Sequence, residues 1–322
     1  MIASLLIAFA AGAASALMFA SIISGALISL LLFYLAPLPL MVACLGWGPI
    51  TASIGGIAAA TSLGLLFGMP YLAAFVLAVA LPAWWLGHLA LLGRPVSAGT
   101  PAVNGTPATA PVVEWYPIGR LMLWAAGFAA LTTMAALLTL GTSGETIIAA
   151  LTRALTRILE SRGSGGDMDQ FVGALVAIAP SAAAIVAITT LTLNLWLAGR
   201  ITATSGRLTR PWPDLKSTTL PPMTMVALCL AIALAFVGGL VGIFAQIVAA
   251  ALMMAYAVAG FAALHTLTLG MKSRGLVLSL TYAMVLVLGW PILTVVGLGL
   301  ADAVFGFRQR FLSRRPPPTT AA

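Results

Sequence analysis

The chain has 322 residues, of which 61% are hydrophobic and only 7% charged, with a formal net charge of +8. A soluble globular domain carries about 25% charged residues, yet no charged side chain occurs here before Arg94. In water such a block would present one aggregating apolar patch, whereas a bilayer makes lipid its solvent, so the composition predicts an all-α, polytopic transmembrane helix bundle.

The opening MIASLLIAFAAGAASA has the Ala-x-Ala look of a secretory signal. It lacks a basic leading region and runs straight into more apolar sequence, so an uncleaved first helix is expected. A span needs about 20 apolar residues, which gives residues 1–93 room for about four N-terminal transmembrane helices. Breaks are expected at Ser21–Gly25, Pro37–Pro39, Gly46–Pro49 and Gly68–Pro70. Pro37 and Pro39 each remove a donor and crowd the preceding turn, so the helix there is short, broken or re-entrant. Ala8, Gly12, Ala16 and Ala20 form a row of small residues at every fourth position. Such a row serves either packing inside the bundle or docking of another membrane subunit. Cys44 and Cys229 stand alone in apolar runs and predict neither a disulfide nor a metal site.

Residues 94–117 are rich in Pro, Gly, Ala and Thr and read as a flexible linker. Its Asn104-Gly105-Thr106 sequon matters only in a glycosylating compartment and is discounted. Residues 118–308 hold the C-terminal transmembrane helices, beginning with a span over 119–140. Within them, 144–161 (GETIIAALTRALTRILES) places Ile148, Leu151, Leu155 and Ile158 at helical spacing, with Arg153, Arg157 and Glu160 on other faces. Ser143 is the expected N-cap of this amphipathic surface helix. Another apolar stretch, 169–199, contains Pro180, and a loop with Arg200, Arg207, Arg210 and Lys216 against Asp214 follows. Two spans fit between Pro222 and Gly270, turning near Gly238–Gly239; Gly238-x-x-x-Gly242 offers a second packing or docking face. Residues 275–306 suit a hairpin broken at Trp290-Pro291, and 309–322 read as a basic disordered tail.

Basic residues favour the cytoplasmic side. Arg94 with Arg120, the 200–216 loop, Lys272 with Arg274, and Arg308 to Arg315 form four basic clusters, while 142–169 mixes Arg153, Arg157 and Arg162 with Glu145, Glu160, Asp167 and Asp169. Placing all four clusters on one side requires even numbers of spans between them, about eight to ten in total, with the 94–117 linker and both termini cytoplasmic. The net charge then reflects this bias and attraction to anionic lipid. Nothing offers a folded basic surface for nucleic acid, so the lipid bilayer is the expected partner.

No nucleophile elbow, Walker loop, His-Glu-x-x-His or carboxylate pair is present, so neither catalysis, a cofactor nor a metal is expected. The polar groups inside apolar runs are His88, Asn194, Gln246, Tyr256, His265 and Asp302. On a continuous helix Arg308 lies roughly 120° around from Asp302, which points to Lys272 or Arg274 as ion-pair partners of the acid. A proton- or substrate-linked role for Asp302 is the alternative. His265 is expected as a neutral imidazole hydrogen-bonded in the bundle, or as part of a site. Asn194 is expected either to join helices by a side-chain hydrogen bond worth about 1 kcal/mol or to share a solute site. His88, near Trp84 and Trp85, reads as part of an interfacial belt.

The pairing of GFAALHTLTLGMKSRG (260–275) with GLGLADAVFGFRQRF (297–311) resembles the bacterial DUF2232 (YybS-like) membrane proteins. Gly260, His265, Gly299, Leu300, Asp302 and Arg308 match that pattern, and Asn194 ahead of the basic loop is similar too. The resemblance is sharp over the last 70 residues and departs at the 94–117 insert. It implies a multi-pass protein of a bacterial inner membrane, remotely similar to the S components of energy-coupling factor transporters, in which small residues on the first helix dock a coupling subunit. Two roles are therefore expected: a small-molecule binding or transport subunit, or a non-transporting scaffold for envelope proteins.

Overall fold

A computed structural model describes residues 2–96, 112–161, 169–213 and 218–313. Among the described residues the chain is all-α apart from one β-ribbon, and it divides into two compact units: residues 1–121 with 190–213, and residues 122–189 with 214–322. Among the described residues, seven helices are long and apolar enough to cross a membrane, with an eighth if one pair bent by 64° counts as a single span. This is a polytopic helix bundle with seven or eight spans against the eight to ten expected from charge.

The first unit opens with α1 (Ile2–Ala20), continued by a 3₁₀ turn to Ser24. Then come α2 (Leu27–Leu35), α3 (Pro37–Trp47), α4 (Pro49–Phe67), α5 (Met69–Phe75) and α6 (Leu81–Ala90). These make the four spans that length allowed, since α2 with α3, and α5 with α6, each form one crossing. Pro begins α3 and α4 and stands in the first turn of α5 and α6, where a missing N–H costs nothing. Between α5 and α6, Val76–Ala80 form a π-helical turn just ahead of Pro82.

The small-residue row of α1 is spent inside this unit. Ala8, Gly12 and Ala16 are buried, and α1 lies along α4 so closely that a Cβ at Gly12 would strike the Gly55 carbonyl oxygen. A Cβ at Gly55 would equally strike the Ala8 carbonyl, so the two helices touch backbone to backbone. Ala20 is only half-buried. Of the two uses the row allowed, packing is the one realised. The linker prediction also changes at its ends. Gly93–Val96 (β1) and Val112–Trp115 (β2) pair antiparallel, Arg94 opposite Glu114, because β-branched Val96 and Val113 favour extended pairing. Residues 97–111, with the sequon, lie outside the described residues.

Helices α7 (Ile118–Leu138) and α9 (Asp169–Thr204) each belong in part to both units. The second unit contains α8 (Gly144–Glu160), α10 (Met223–Ala235), α11 (Gly239–Leu267), α12 (Arg274–Leu288), α13 (Ile292–Phe305) and α14 (Phe307–Ser313). Ser143 caps α8 as expected, in a capping box: its hydroxyl accepts the Thr146 N–H while Thr146 Oγ1 accepts the Ser143 N–H, both at 3.2 Å. Ile147 is fully buried while Ile148 and Ile158 of the apolar stripe are exposed, and Gly144 seats against the backbone of Gly239. Gly238 is not on a helical face; it turns α10 into α11 at φ 77°, and only Gly242 packs, against the Ala235 carbonyl. The break expected within 275–306 is present between α12 and α13, at Gly289–Pro291. Helix α14 carries order to Ser313, into the stretch expected to be a tail; residues 314–322 lie outside the described residues.

Candidate functional site

In the second unit α11 and α13 cross as tightly as α1 and α4 do in the first. A Cβ at Gly260 would strike the Val295 carbonyl, and one at Gly299 the Tyr256 carbonyl. This contact fixes the end of α13 beside Tyr256, which is buried. One turn further on, α13 stops at Gly306, whose φ of 63° lies in the left-handed region that glycine adopts without strain. The chain then turns through 64° into α14.

That bend brings Arg308 onto Asp302. The Arg308 guanidinium donates Nε–H to Asp302 Oδ2 at 2.6 Å, and the Arg308 backbone N–H donates to Oδ1 at 2.8 Å. Both side chains are about 95% buried, at 5% and 4% relative exposure. The expectation that Lys272 or Arg274 would pair with Asp302 is therefore corrected, for a definite reason. The 120° offset presumed a continuous helix, and Gly306 ends that helix four residues after the acid. Lys272 is exposed, and the Arg274 Nε is buried without a hydrogen-bond partner. Asp302 also acts as the side-chain cap of α14, accepting one of the N–H groups that a helix start leaves unpaired. A signal for this was readable: glycine immediately before a basic Phe-Arg-Gln-Arg segment marks a C′ position.

Beside the ion pair lies a cavity of about 180 Å³, lined among others by Thr219, Tyr256, Gly299, Asp302, Arg308 and Gln309. It joins a buried charge pair to polar side chains inside an apolar unit. Two further hollows, about 320 and 370 Å³, flank Gln246 and are lined mostly by aliphatic side chains.

Away from this cavity, His265 Nε2 and the Tyr282 hydroxyl are 3.0 Å apart, and Phe261 stacks on Tyr282 at 4.8 Å between ring centres. His265 thus has a hydrogen-bond partner on α12, a role for Tyr282 that spacing did not reveal. Asn194 belongs to the first unit and is 1% exposed. Its Nδ2 donates to the carbonyls of Tyr34 and Thr190, each at 2.8 Å. The Tyr34 carbonyl stands in the last turn of α2, beside the break at Ala36 that precedes Pro37. Ser15, missed at the sequence level, does the same for the Ala36 carbonyl with its buried hydroxyl. His88 stacks on Trp84 with ring planes 5° apart. The two cysteines are free thiols, and no cluster of three metal-ligating side chains occurs among the described residues.

The apolar helices define a multi-pass integral membrane protein. No family model, no curated protein and no solved structure matches the chain.

Proposed function

We propose that this protein is a binding subunit for a small polar solute, held in the cavity between α11, α13 and α14, and that it belongs with the DUF2232 membrane proteins it resembles. The observation that carries this reading is the Asp302–Arg308 pair in the wall of a cavity of about 180 Å³. An intramembrane charge pair is costly to keep and marks a functional position by default. Opposite charges side by side suit a zwitterion or small carboxylate, and the volume is below the roughly 300–1,000 Å³ typical of drug-sized ligands. The role is binding or transport without catalysis, in a bacterial inner membrane with both termini cytoplasmic, after the S-component pattern. Because Ala8, Gly12 and Ala16 are buried, the first two against α4, a coupling subunit would meet another face.

A scaffold without a solute site is the second reading. It is favoured by α12, whose side chains are exposed or half-buried along its whole length and so are open to a membrane partner.

Native mass spectrometry of the full chain released from membranes tests the first reading, followed by titration with small amino acids and carboxylates. A bound solute is expected, its affinity lowered about tenfold, roughly 1.4 kcal/mol, by Gln309→Ala or Thr219→Val, which leave the ion pair in place. An empty protein that no such solute stabilises rejects this reading in favour of the scaffold.

A further inference from the structure

At one end of the first unit the segment after α9 doubles back over that helix. The N–H groups of Arg207 and Leu208 both donate to the Thr202 carbonyl, at 2.8 and 3.1 Å, and Trp212 returns to lie against Gly199. This fold-back arranges three arginines on aromatic and backbone supports. The Arg200 guanidinium lies over Trp212, 5.2 Å from the ring centre, and that of Arg207 lies over Trp47 at 5.0 Å. Arg210 donates from Nη1 to the Ala90 carbonyl at the end of α6, at 3.2 Å, and burial holds its guanidinium below the ordinary arginine value. Among the described residues no carboxylate pairs with any of the three; Glu114 is taken by Arg94 and Asp302 by Arg308.

A guanidinium stacked on an indole is held in place while its N–H edge stays available for a second partner. Tryptophan sets the depth, because indole rings sit at the level of the headgroups. Leu193, Trp196 and Arg200 follow at i, i+3 and i+7 on α9, and all three are exposed, which makes an apolar lane ending in a cation. We propose that this end of the first unit is a binding site for an anionic phospholipid, with the phosphate on Arg200, Arg207 and Arg210 and an acyl chain along Leu193 and Trp196. The phosphate supplies an anion for three guanidiniums that no carboxylate among the described residues pairs, and its oxygens match the planar fork. The lane supplies what a free phosphate would not use. This inference concerns a different unit from the solute cavity and stands or falls independently of it.

The test uses the full chain in nanodiscs of phosphatidylcholine with a minor fraction of phosphatidylglycerol, with retained lipid read by native mass spectrometry. Wild type is expected to retain phosphatidylglycerol selectively. The Arg200→Gln, Arg207→Gln double variant is expected to reduce that retention about tenfold. Arg153→Gln with Arg157→Gln on α8 removes the same charge elsewhere and is expected to leave it unchanged. Arg200→Lys with Arg207→Lys keeps charge and folding but loses the fork and the stack, so it too is expected to reduce retention. Equal retention of both lipids, an equal loss in the α8 variant, or full retention in the lysine variant each overturns the proposal. Displacement of phosphatidylglycerol by inorganic phosphate at matched concentration does so as well, since the site would then take the free ion.

Discussion

The two units solve opposite problems at their helix breaks. In the first, at the break between α2 and α3, the side chains that meet the backbone are donors: Asn194 to the Tyr34 carbonyl and Ser15 to the Ala36 carbonyl. In the second, Gly306 ends one helix and begins another, leaving N–H groups unpaired, and the side chain that answers is an acceptor, Asp302 to Arg308. A lost acceptor is replaced by a carboxylate, which brings a charge into an apolar setting. That charge is tolerated because Arg308, carrying the capped N–H, also supplies the countercharge. Neutral groups suffice at the proline break because a hydroxyl or amide donor needs no counterion. An unpaired N–H does not by itself demand a charge, since the neutral Ser143 hydroxyl caps α8; the charge at the α13–α14 break comes with the choice of a carboxylate.

The largest effect is expected from splitting the ion pair. Asp302→Ala leaves a buried guanidinium alone and should lower stability by about 3–5 kcal/mol, read as the midpoint of unfolding by denaturing detergent. Adding Arg308→Leu should recover most of that loss, since an apolar pair of similar volume is close to neutral. If the double variant is no better than the single one, the charge is not what the arginine compensates. Next come the backbone crossings. Gly299→Leu in the second unit and Gly12→Leu in the first should each cost about 1–3 kcal/mol or more through forced separation of helices, and a negligible shift for Gly12→Leu would mean that α1 does not rest on α4. Smaller still, Ser15→Ala and Asn194→Leu should cost about 0.6–2 kcal/mol each. Their double-mutant cycle should show coupling, because both serve the same break; strict additivity would separate the two roles. The smallest change is expected from Glu114→Gln. Its partner Arg94 is 79% exposed, so the pair should contribute less than about 1 kcal/mol and fade with salt.

Much of this was legible in the residues themselves. Lengths of apolar sequence and the positions of Pro37, Pro49 and Pro70 placed the four N-terminal crossings, and Ser143 announced α8. The α10–α11 turn at Gly238 and the break before Pro291 were readable too, because glycine and proline act on the backbone locally. What failed had a local cause. Asp302 was assigned a partner by extending a helix through Gly306, and that one glycine turned Arg308 onto the acid. Ser15 and Tyr282 carried no signal, since a serine in a small-residue row and a tyrosine in an apolar run look ordinary until the neighbouring helix is known.

The sequence by itself determined that this protein lives in hydrocarbon and where its helices start and stop, because transfer free energy and backbone donors are properties of residues taken singly or in short runs. Only the tertiary structure decided what each rare polar group is for. A hydroxyl, an amide or a carboxylate in an apolar span answers to whichever backbone group lies across from it, and that neighbour is set by close packing of helices distant in the chain.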